Sequence, residues 1–294
     1  MIPELDIDCE RESSRIAALV SDSVARRHAD GVVVGLSGGI DSALVAAISA
    51  QALGPSHVHA LALPERDSSP ESATDARDLA KALGIDFRVE EITAALAALG
   101  CYSSAVSQVG KAQGLVRAAI RLLPAVSRKS FLAHLGGEGG ERFHEFIAFY
   151  CMKHRVRLVA LCREAEAKNL LVTSCVNRSE SETGFFVRYG DDSGDVAPIA
   201  HLFKTQVFRL GEWLGLPEII LKKRPTPDLF GAVADEEIMG ISYGDLDTIL
   251  ALIDAKLGDE AIACRTKLKP EAIEFVREVK AASQTFRDPP AALL

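Results

Sequence analysis

Hydrophobic and polar positions alternate between strand-like and helix-like patterns up to about Gly194. Short apolar runs rich in β-branched residues are typical of strands buried in a parallel sheet. Such runs occur at residues 31–36, 57–63, 86–92 and 170–175, and segments with helical spacing separate them. Because a helical crossover returns the chain to a parallel strand, this order predicts an α/β fold. We expect a Rossmann-like parallel sheet with helices on both faces.

Beyond about Gly194 the strand signals fade and apolar residues recur at helical spacing. The helical segments read KTQVFRLGEWLGL, SYGDLDTILALIDAKLG and KPEAIEFVREVKAASQ. They predict a helical C-terminal part. A chain of 294 residues is long enough to bury a substantial core. We predict a single domain over residues 1–294.

A basic segment interrupts the alternation at about residues 99–140. Its amphipathic helical pattern is broken by Pro124, and the glycine-rich stretch Gly136–Gly140 closes it. We predict a helical insertion whose cations form a solvated face, with a clamp over an anionic substrate as the alternative. Those cations are Lys111, Arg117, Arg121, Arg128 and Lys129.

The charge balance and the hydropathy pattern exclude several classes of protein. A net charge of −8 argues against a nucleic-acid-binding protein, which usually carries a basic face. No apolar run approaches the ~18 residues of a membrane span, and the acidic, polar beginning MIPELDIDCERESS does not resemble a signal peptide. We therefore expect a cytoplasmic protein whose six cysteines are reduced.

The first predicted strand leads directly into the segment SGGIDS, which begins the next predicted helix. The carboxyl end of a parallel strand and the N-terminus of a helix together form a favourable anion site. Gly38 and Gly39 allow backbone amides to approach an anion, and Ser37 and Ser42 add hydroxyl donors. Asp41 would repel a phosphate unless Mg²⁺ lies between them. The pattern indicates a phosphate site, and a tight turn with helix-capping residues is the alternative.

SGGIDS also resembles the pyrophosphatase loop of the N-type ATP pyrophosphatases. Within that superfamily the segment Leu170–Leu229 resembles the NAD synthetases, through TGFFVRYGD, DVAPI, KTQ, LGLP and PTPDL in that order. DEEIMGISYGDLD, downstream, and KHRVRL, upstream, continue the resemblance. It implies an adenine nucleotide alpha hydrolase-like fold and an ATP-dependent ligase. The ligase would adenylylate the carboxylate of deamido-NAD+, release pyrophosphate and transfer ammonia to give NAD+.

The resemblance also implies a role for each matching position. Asp41, Glu180 and Lys204 would be catalytic, and Asp41 and Glu180 would hold Mg²⁺. The ATP site would comprise Ser37, Gly38, Gly39, Asp41, Ser42, Cys175, Lys204 and Thr226. The dinucleotide acid would lie near Arg155, Arg188, Asp191 and Arg287. A homodimer is implied, with the acid bound across its interface.

Three departures from the family pattern leave other reactions open. Cysteines stand at Cys151 and Cys175, where the family usually has Asn and Thr, and Arg287 alone remains of a C-terminal His-Lys-Arg group. A thiolate activated by Lys153 or Arg155 would suit a sulfur transferase of the same superfamily. An amide ligase for another acid and a nucleotide-binding regulatory protein are further alternatives.

The nitrogen source follows from the position of the first strand. The ATP strand begins near Gly31, which leaves no room before it for a glutaminase domain. We therefore expect free ammonia, or ammonia from a partner subunit, as the nitrogen donor.

Overall fold

A computed structural model describes residues 2–103, 124–226 and 233–288. Within these ranges a parallel sheet has the strand order β3-β2-β1-β4. The strands are β1 Gly31–Gly35, β2 Val58–Ala62, β3 Asp86–Val89 and β4 Leu170–Val172. The predicted α/β fold and its parallel sheet are confirmed.

Each strand ends before the residue at which its apolar run ends, because the chain leaves the sheet to form a loop. Pairing fades gradually at these ends. The Leu36 amide still donates to the Leu61 carbonyl at 2.8 Å, and the Thr173 amide donates to the Val33 carbonyl at 3.1 Å. Thr173 also forms an isolated parallel bridge with Val196.

Helices account for most of the remaining described chain. In its first part they are α1 Cys9–Arg27, α2 Ile40–Leu53, α3 Pro70–Leu83, α4 Thr93–Ala98, α5 Pro124–Leu135 and α6 Glu141–Lys168. In its second part they are α7 Arg178–Thr183, α8 Lys204–Trp213, α9 Glu218–Leu221, α10 Asp235–Met239, α11 Tyr243–Asp254, α12 Asp259–Thr266, α13 Pro270–Ala282 and α14 Gln284–Arg287.

Both faces of the sheet are covered, as the continuous apolar strands predict. On one face Val32 and Val34 pack with Leu44 of α2. On the other face Val33 packs with Ala160 of α6. Successive residues of one strand therefore enter two different cores, and the sheet carries little polar surface between them.

A third core joins the two ends of the described chain. Leu5 packs there with Phe131 of α5, Phe203 and Val276 of α13. In the predicted insertion, α5 begins at Pro124, and residues 104–123 lie outside the described ranges.

One cation of the insertion is used structurally. The Arg128 guanidinium donates to the Gly240 carbonyl at 2.6 Å and lies 5.0 Å from the centre of the Phe275 ring. Lys111, Arg117 and Arg121 lie outside the described residues. No helix in the described ranges combines the length and apolarity that a membrane crossing requires.

Candidate active site

A crevice opens at the carboxyl ends of β1 and β4, which are neighbours in the sheet. The chain leaves β1 through α2 to reach β2 on one side, whereas β4 lies on the other side. The two connections diverge at this point, and ligands of open α/β sheets bind at such switch points. The crevice is lined by Leu36, Ser37 and Gly39 after β1 and by Thr173, Cys175 and Val176 after β4.

The loop after β1 is a tight backbone turn. Gly38 has a φ of +73°, and a Cβ atom there would lie only 2.7 Å from the Ser72 carbonyl oxygen. The Ser42 hydroxyl accepts from the Ser37 amide at 3.2 Å and donates to the Gly39 carbonyl at 3.1 Å. The turn therefore requires glycine, and its hydroxyls lie beside the unpaired amides at the start of α2.

Two carboxylates from distant segments meet one ammonium group in this crevice. Lys204 Nζ lies 2.5 Å from Asp41 Oδ2 and 3.3 Å from Glu180 Oε1. Asn177 joins the two acids, because its side-chain amide donates to Asp41 Oδ1 at 2.9 Å and its backbone amide donates to Glu180 Oε2 at 3.1 Å. Asn177 and Glu180 form the capping box that begins α7.

Burial and the neighbouring charges shift the pKa values of groups in this cluster. The Lys204 side chain is 2% exposed. Burial opposes its charge, but Asp41, Glu180 and Asp235 outweigh that effect and raise the pKa of Lys204. Burial raises the pKa of Glu180 to about 8 in spite of the nearby Lys204 ammonium. Several carboxyl groups share one cation here, so a second cation would be electrostatically favourable at this site.

The backbone at the start of α8 fixes Lys204. Its amide donates to the Ser179 hydroxyl at 2.8 Å, and that hydroxyl lies 2.5 Å from Asp247 Oδ1. The neighbouring Thr205 amide donates to Asp247 Oδ2 at 2.8 Å. A cation is unfavourable at a helix N-terminus unless an anion is near, and Asp41 and Glu180 supply that anion.

One cavity contains most of the residues that the sequence singles out for ATP. Its lining includes Ser37, Gly39, Asp41, Ser42, Cys175, Glu180, Lys204 and Thr226. Gly38 belongs to the same turn, behind the lining. Asp191 also lines the cavity.

The other residues predicted for the acid are turned elsewhere. The Arg155 guanidinium donates to the Arg188 carbonyl at 3.1 Å. Arg188 itself donates to the Asp288 carbonyl at 2.9 Å, and Arg287 donates to the Lys280 carbonyl at 3.2 Å. These three arginines form backbone contacts outside the cavity lining.

Arg157 lines the cavity in place of Arg155. It donates to the Leu63 carbonyl at 3.1 Å and to the Ser68 hydroxyl at 3.3 Å. One turn earlier on the same face of α6, Lys153 has a fully buried ammonium. Both cations therefore hold the loop that follows β2.

The Lys153 ammonium lies between two carboxylates of that loop. It donates to Glu65 Oε1 and Asp67 Oδ2, each at 2.8 Å. The Tyr102 hydroxyl donates to Glu65 Oε2 at 2.7 Å. Sequence analysis did not single out this network, although the (i, i+4) spacing of Lys153 and Arg157 was visible.

Further cations lie on the phosphate-loop side of the cavity. Lys223 and Arg224 both line it. Lys223 Nζ donates to Asp75 Oδ2 at 2.7 Å, and a Cβ atom on Gly38 would lie 3.4 Å from it. The sequence analysis missed Lys223, which precedes Thr226 by three positions.

The two cysteines considered as nucleophiles have protonated thiols. Burial and the negative charge of Asp41 raise the pKa of Cys175 far above its ordinary value. Burial also raises the pKa of Cys151, against the opposing effect of Arg155. A thiolate is therefore disfavoured at both positions, and thiolate chemistry finds no support here.

In the described ranges, no group of three or more His, Cys, Asp or Glu side chains could hold a metal ion. Asp41 and Glu180 nevertheless approach the same point. Mg²⁺ is commonly bound by one or two carboxylates together with substrate phosphates. The pair fits such a site only if a ligand supplies the remaining oxygens.

Comparison with known proteins identifies close relatives. The family model described as NAD synthase matches residues 12–130 and 141–290. The chain is 38% identical over 275 residues to an NH3-dependent NAD+ synthetase of Thermotoga neapolitana, and the match covers 92% of each chain. It is 36% identical over 260 residues to an NH3-dependent NAD+ synthetase of Methanopyrus kandleri, covering 88% of this chain and 80% of the relative.

Solved structures agree with this placement. The structure of an NMN synthetase from Francisella tularensis superimposes with a TM-score of 0.73 at 25% identity, covering 98% of this chain and 99% of that chain. An NH3-dependent NAD synthetase from Campylobacter jejuni, solved with a nitrate ion, gives a TM-score of 0.71 at 24% identity and covers 98% of this chain and all of its own. The latter similarity supports the fold.

Proposed function

This chain belongs to the NAD synthase family, and we propose that it is an ammonia-dependent NAD+ synthetase. It uses ATP to activate the nicotinate carboxylate of deamido-NAD+, releases pyrophosphate and converts the activated acid into the amide of NAD+ with ammonia. The relatives that carry this name match most of the chain at 30–38% identity. Its enzyme class is therefore that of an amide-forming ligase, and the sulfur transferase alternative is set aside.

The observation that carries the proposal is the position of Lys204 against Asp41 at the phosphate loop. A carboxylate is a poor electrophile, and adenylylation gives it a good leaving group. Attack on the α-phosphorus of ATP increases the charge on the phosphate oxygens and on the departing pyrophosphate. A preorganised cation at those atoms stabilises the transition state. We propose that Lys204, whose backbone amide donates to the Ser179 hydroxyl, is this cation.

The phosphate loop supplies the remaining contacts to the triphosphate. We assign the phosphates to the turn Ser37, Gly38 and Gly39 and to the hydroxyl of Ser42, because the start of α2 presents unpaired amides there. Thr226, Lys204 and Cys175 complete the proposed ATP site. In this assignment the Cys175 thiol is a small, uncharged side chain that lines the ATP site, since burial raises its pKa.

We propose that Asp41 and Glu180 hold Mg²⁺ together with phosphate oxygens of ATP. Both carboxylates contact the same ammonium group, and burial leaves Glu180 poorly compensated by it. Bound there, Mg²⁺ would neutralise charge on the phosphates. Asn177 orients both acids toward this point through its two hydrogen bonds.

We assign the acid to the part of the cavity that Asp191 lines. Arg155, Arg188 and Arg287 lie outside that cavity, so they reach the dinucleotide only where it extends beyond the crevice.

We propose a homodimer, in which the acid lies across the interface. Light scattering is expected to give twice the chain mass of 31.5 kDa at micromolar concentration, and a monomer would contradict the homodimer.

We further propose that residues 1–294 form a single cytoplasmic domain. Leu5 and Val276 share one core, which supports one folding unit, and the six cysteines are free thiols. Limited proteolysis tests the single domain, which should yield no stable half. Fractionation of expressing cells tests the location.

Product analysis tests the proposed activity. The protein is incubated with Mg-ATP, ammonium and either deamido-NAD+ or nicotinic acid mononucleotide. The second acid is included because of the similarity to the Francisella protein. NAD+ from the first acid, with one AMP and one pyrophosphate per turnover, supports the proposal. Amidation of the mononucleotide alone would assign a different acid, and no amide from either would overturn it.

A further inference from the structure

A buried carboxylate on α11 joins the two helices that carry Lys204 and Glu180. The Asp247 residue is completely buried, at 0% exposure. Its Oδ2 accepts from the Thr205 amide at 2.8 Å, in the first turn of α8. Its Oδ1 accepts from the Ser179 hydroxyl at 2.5 Å, and Ser179 directly precedes Glu180 on α7. One side chain therefore bridges α7 and α8 from a third helix.

The start of α8 depends on this bridge, because the residue before the helix cannot cap it. The first four amides of a helix lack partners within the helix, and a polar side chain just before it usually satisfies one of them. Here that residue is Phe203, whose side chain is apolar. The Lys204 amide donates instead to the Ser179 hydroxyl at 2.8 Å, and the next amide donates to Asp247. The cap of α8 is thus built from α7 and α11.

The same helix, α11, also lies beside the charged end of Lys204. Tyr243 lies one turn before Asp247, and the Lys204 Nζ atom is 5.2 Å from the centre of the Tyr243 ring. An ammonium group at that distance from an aromatic ring is within the range of a cation–π interaction. Helix α11 therefore contributes to the position of both the backbone and the ammonium of Lys204.

The carboxylate of Asp247 is costly where it lies. A buried charge costs free energy that its hydrogen bonds must offset, whereas an apolar side chain of similar volume carries no such cost. The Lys204 ammonium contacts Asp41 and Glu180, so hydrogen bonds supply most of the compensation for Asp247. Burial raises the pKa of Asp247 despite these bonds. Stability alone does not account for a carboxylate here, whereas the alignment of α7 with α8 does.

We propose that Asp247 is a positioning residue, which fixes the Lys204 ammonium relative to Glu180 by holding the start of α8 against α7. This inference rests on the proposed function, in which Lys204 stabilises the charge that develops on the phosphates. A misplacement of about 1 Å in a catalytic group costs up to about 100-fold in rate. Loss of the Asp247 carboxylate should therefore slow the reaction, although every group assigned to the substrates is still present.

Two variants remove the bridge to different extents. Asp247→Asn keeps the shape and one acceptor, which serves the Thr205 amide, but its amide nitrogen cannot accept from the Ser179 hydroxyl. Asp247→Ala removes both acceptors. Asp254→Asn is the matched control, because Asp254 lies at the end of the same helix and pairs with Arg178 of α7. The control perturbs the docking of α11 on α7 and leaves the cap of α8 in place.

Steady-state kinetics separate positioning from a general loss of structure. We expect Asp247→Asn to lower the kcat of acid-dependent pyrophosphate release by about 10-fold and Asp247→Ala by about 100-fold. The KM for deamido-NAD+ should stay close to that of wild type, and Asp254→Asn should match wild type in both constants. Circular dichroism and thermal melting establish whether each variant is folded at the assay temperature.

A double-mutant cycle with Lys204→Gln tests whether Asp247 acts through Lys204. Once that ammonium is absent its position no longer matters, so Asp247→Asn should then change kcat by less than about 2-fold. Equal losses in both backgrounds, no loss at all, a loss confined to KM, or an Asp247→Asn protein that is unfolded would overturn the positioning role. Absence of acid-dependent pyrophosphate release by the wild-type protein would instead overturn the proposed function.

Discussion

The ammonium of Lys204 lies 2.5 Å from the carboxylate of Asp41, although 163 positions separate the two residues in the chain. Asp41 lies in the first turn of α2, and Lys204 begins α8. Two helix starts therefore converge on one point, at the end of the sheet where β1 and β4 are adjacent. Unpaired amides, a cation and carboxylates coincide there, which is the chemical composition that a metal–triphosphate complex needs.

Replacing the buried cation tests its assignment. We expect Lys204→Gln to reduce acid-dependent pyrophosphate release by about 100-fold or more, because one preorganised donor to a developing oxyanion contributes that much. Lys222→Gln, which removes an exposed lysine paired with Glu218, should leave the rate unchanged. A Lys204→Gln protein that melts like wild type and turns over normally would remove Lys204 from the mechanism.

The carboxylate pair predicts a metal requirement. Asp41→Asn and Glu180→Gln should each abolish most Mg²⁺-dependent pyrophosphate release while the fold is retained. Loss of one carboxylate weakens the binding of Mg²⁺, and the phosphate charge that Mg²⁺ neutralises is then uncompensated. The cost is several kcal/mol of transition-state stabilisation. Titration of the residual activity with Mg²⁺ should show a higher concentration at half-maximal rate. Glu218→Gln is the control on the surface, and near-normal turnover of either site variant would contradict the metal assignment.

The thiols are predicted to be inert. Cys151→Ser and Cys175→Ser should fold and keep most of their activity with ammonia as nucleophile. A buried hydroxyl that lacks a partner costs about 1–3 kcal/mol of stability, so the melting temperature should fall modestly. Turnover is measured under identical conditions for both variants and wild type. Complete loss of turnover in a folded variant would instead support a thiolate as the nucleophile.

Asp235 makes stability depend on pH. Burial raises the pKa of its carboxyl group from 3.8 to about 6, and Oδ1 has no partner within the described ranges. Because the folded protein holds this proton more tightly, the contribution of Asp235 is complete below about pH 4 and is lost as the pH rises through about 6. Relative to Asp235→Asn, the free energy of unfolding of wild type should fall by up to roughly 3 kcal/mol over this window.

Urea denaturation of both proteins between pH 4 and pH 7 measures that difference. The asparagine variant keeps a side-chain oxygen for the Tyr243 hydroxyl, which lies 3.0 Å from Asp235. The comparison therefore isolates the ionisable group. Parallel stability profiles for the two proteins would show that Asp235 ionises as freely as an exposed acid.

Hydrophobic periodicity was enough to predict the sheet, because it is a local property of the sequence. Val32, Val33 and Val34 are all buried, and a continuous apolar run reports such two-sided burial directly. β3 lies at the edge of the sheet, and its residues are mostly exposed. The predicted run, residues 86–92, extends past Val89, where the strand ends.

Contacts between distant segments were less accessible to sequence reasoning. Asn177 was missed, although its spacing to Glu180 is that of a capping box. The resemblance implies Arg155, but Arg157 lines the cavity, and its four-residue spacing from Lys153 places those two cations on one face of α6. Asp247 had no local signal, because its hydrogen bonds depend on how α7 and α8 pack against α11.

An isotope-transfer measurement tests the central claim most directly, namely that this crevice joins AMP to a carboxylate. Deamido-NAD+ labelled with ¹⁸O in its nicotinate carboxylate is incubated with the protein, Mg-ATP and ammonium, and the products are analysed by mass spectrometry. The account predicts NAD+, unlabelled pyrophosphate and AMP that carries one ¹⁸O atom from the acid. Unlabelled AMP, or label in pyrophosphate or in inorganic phosphate, would contradict it.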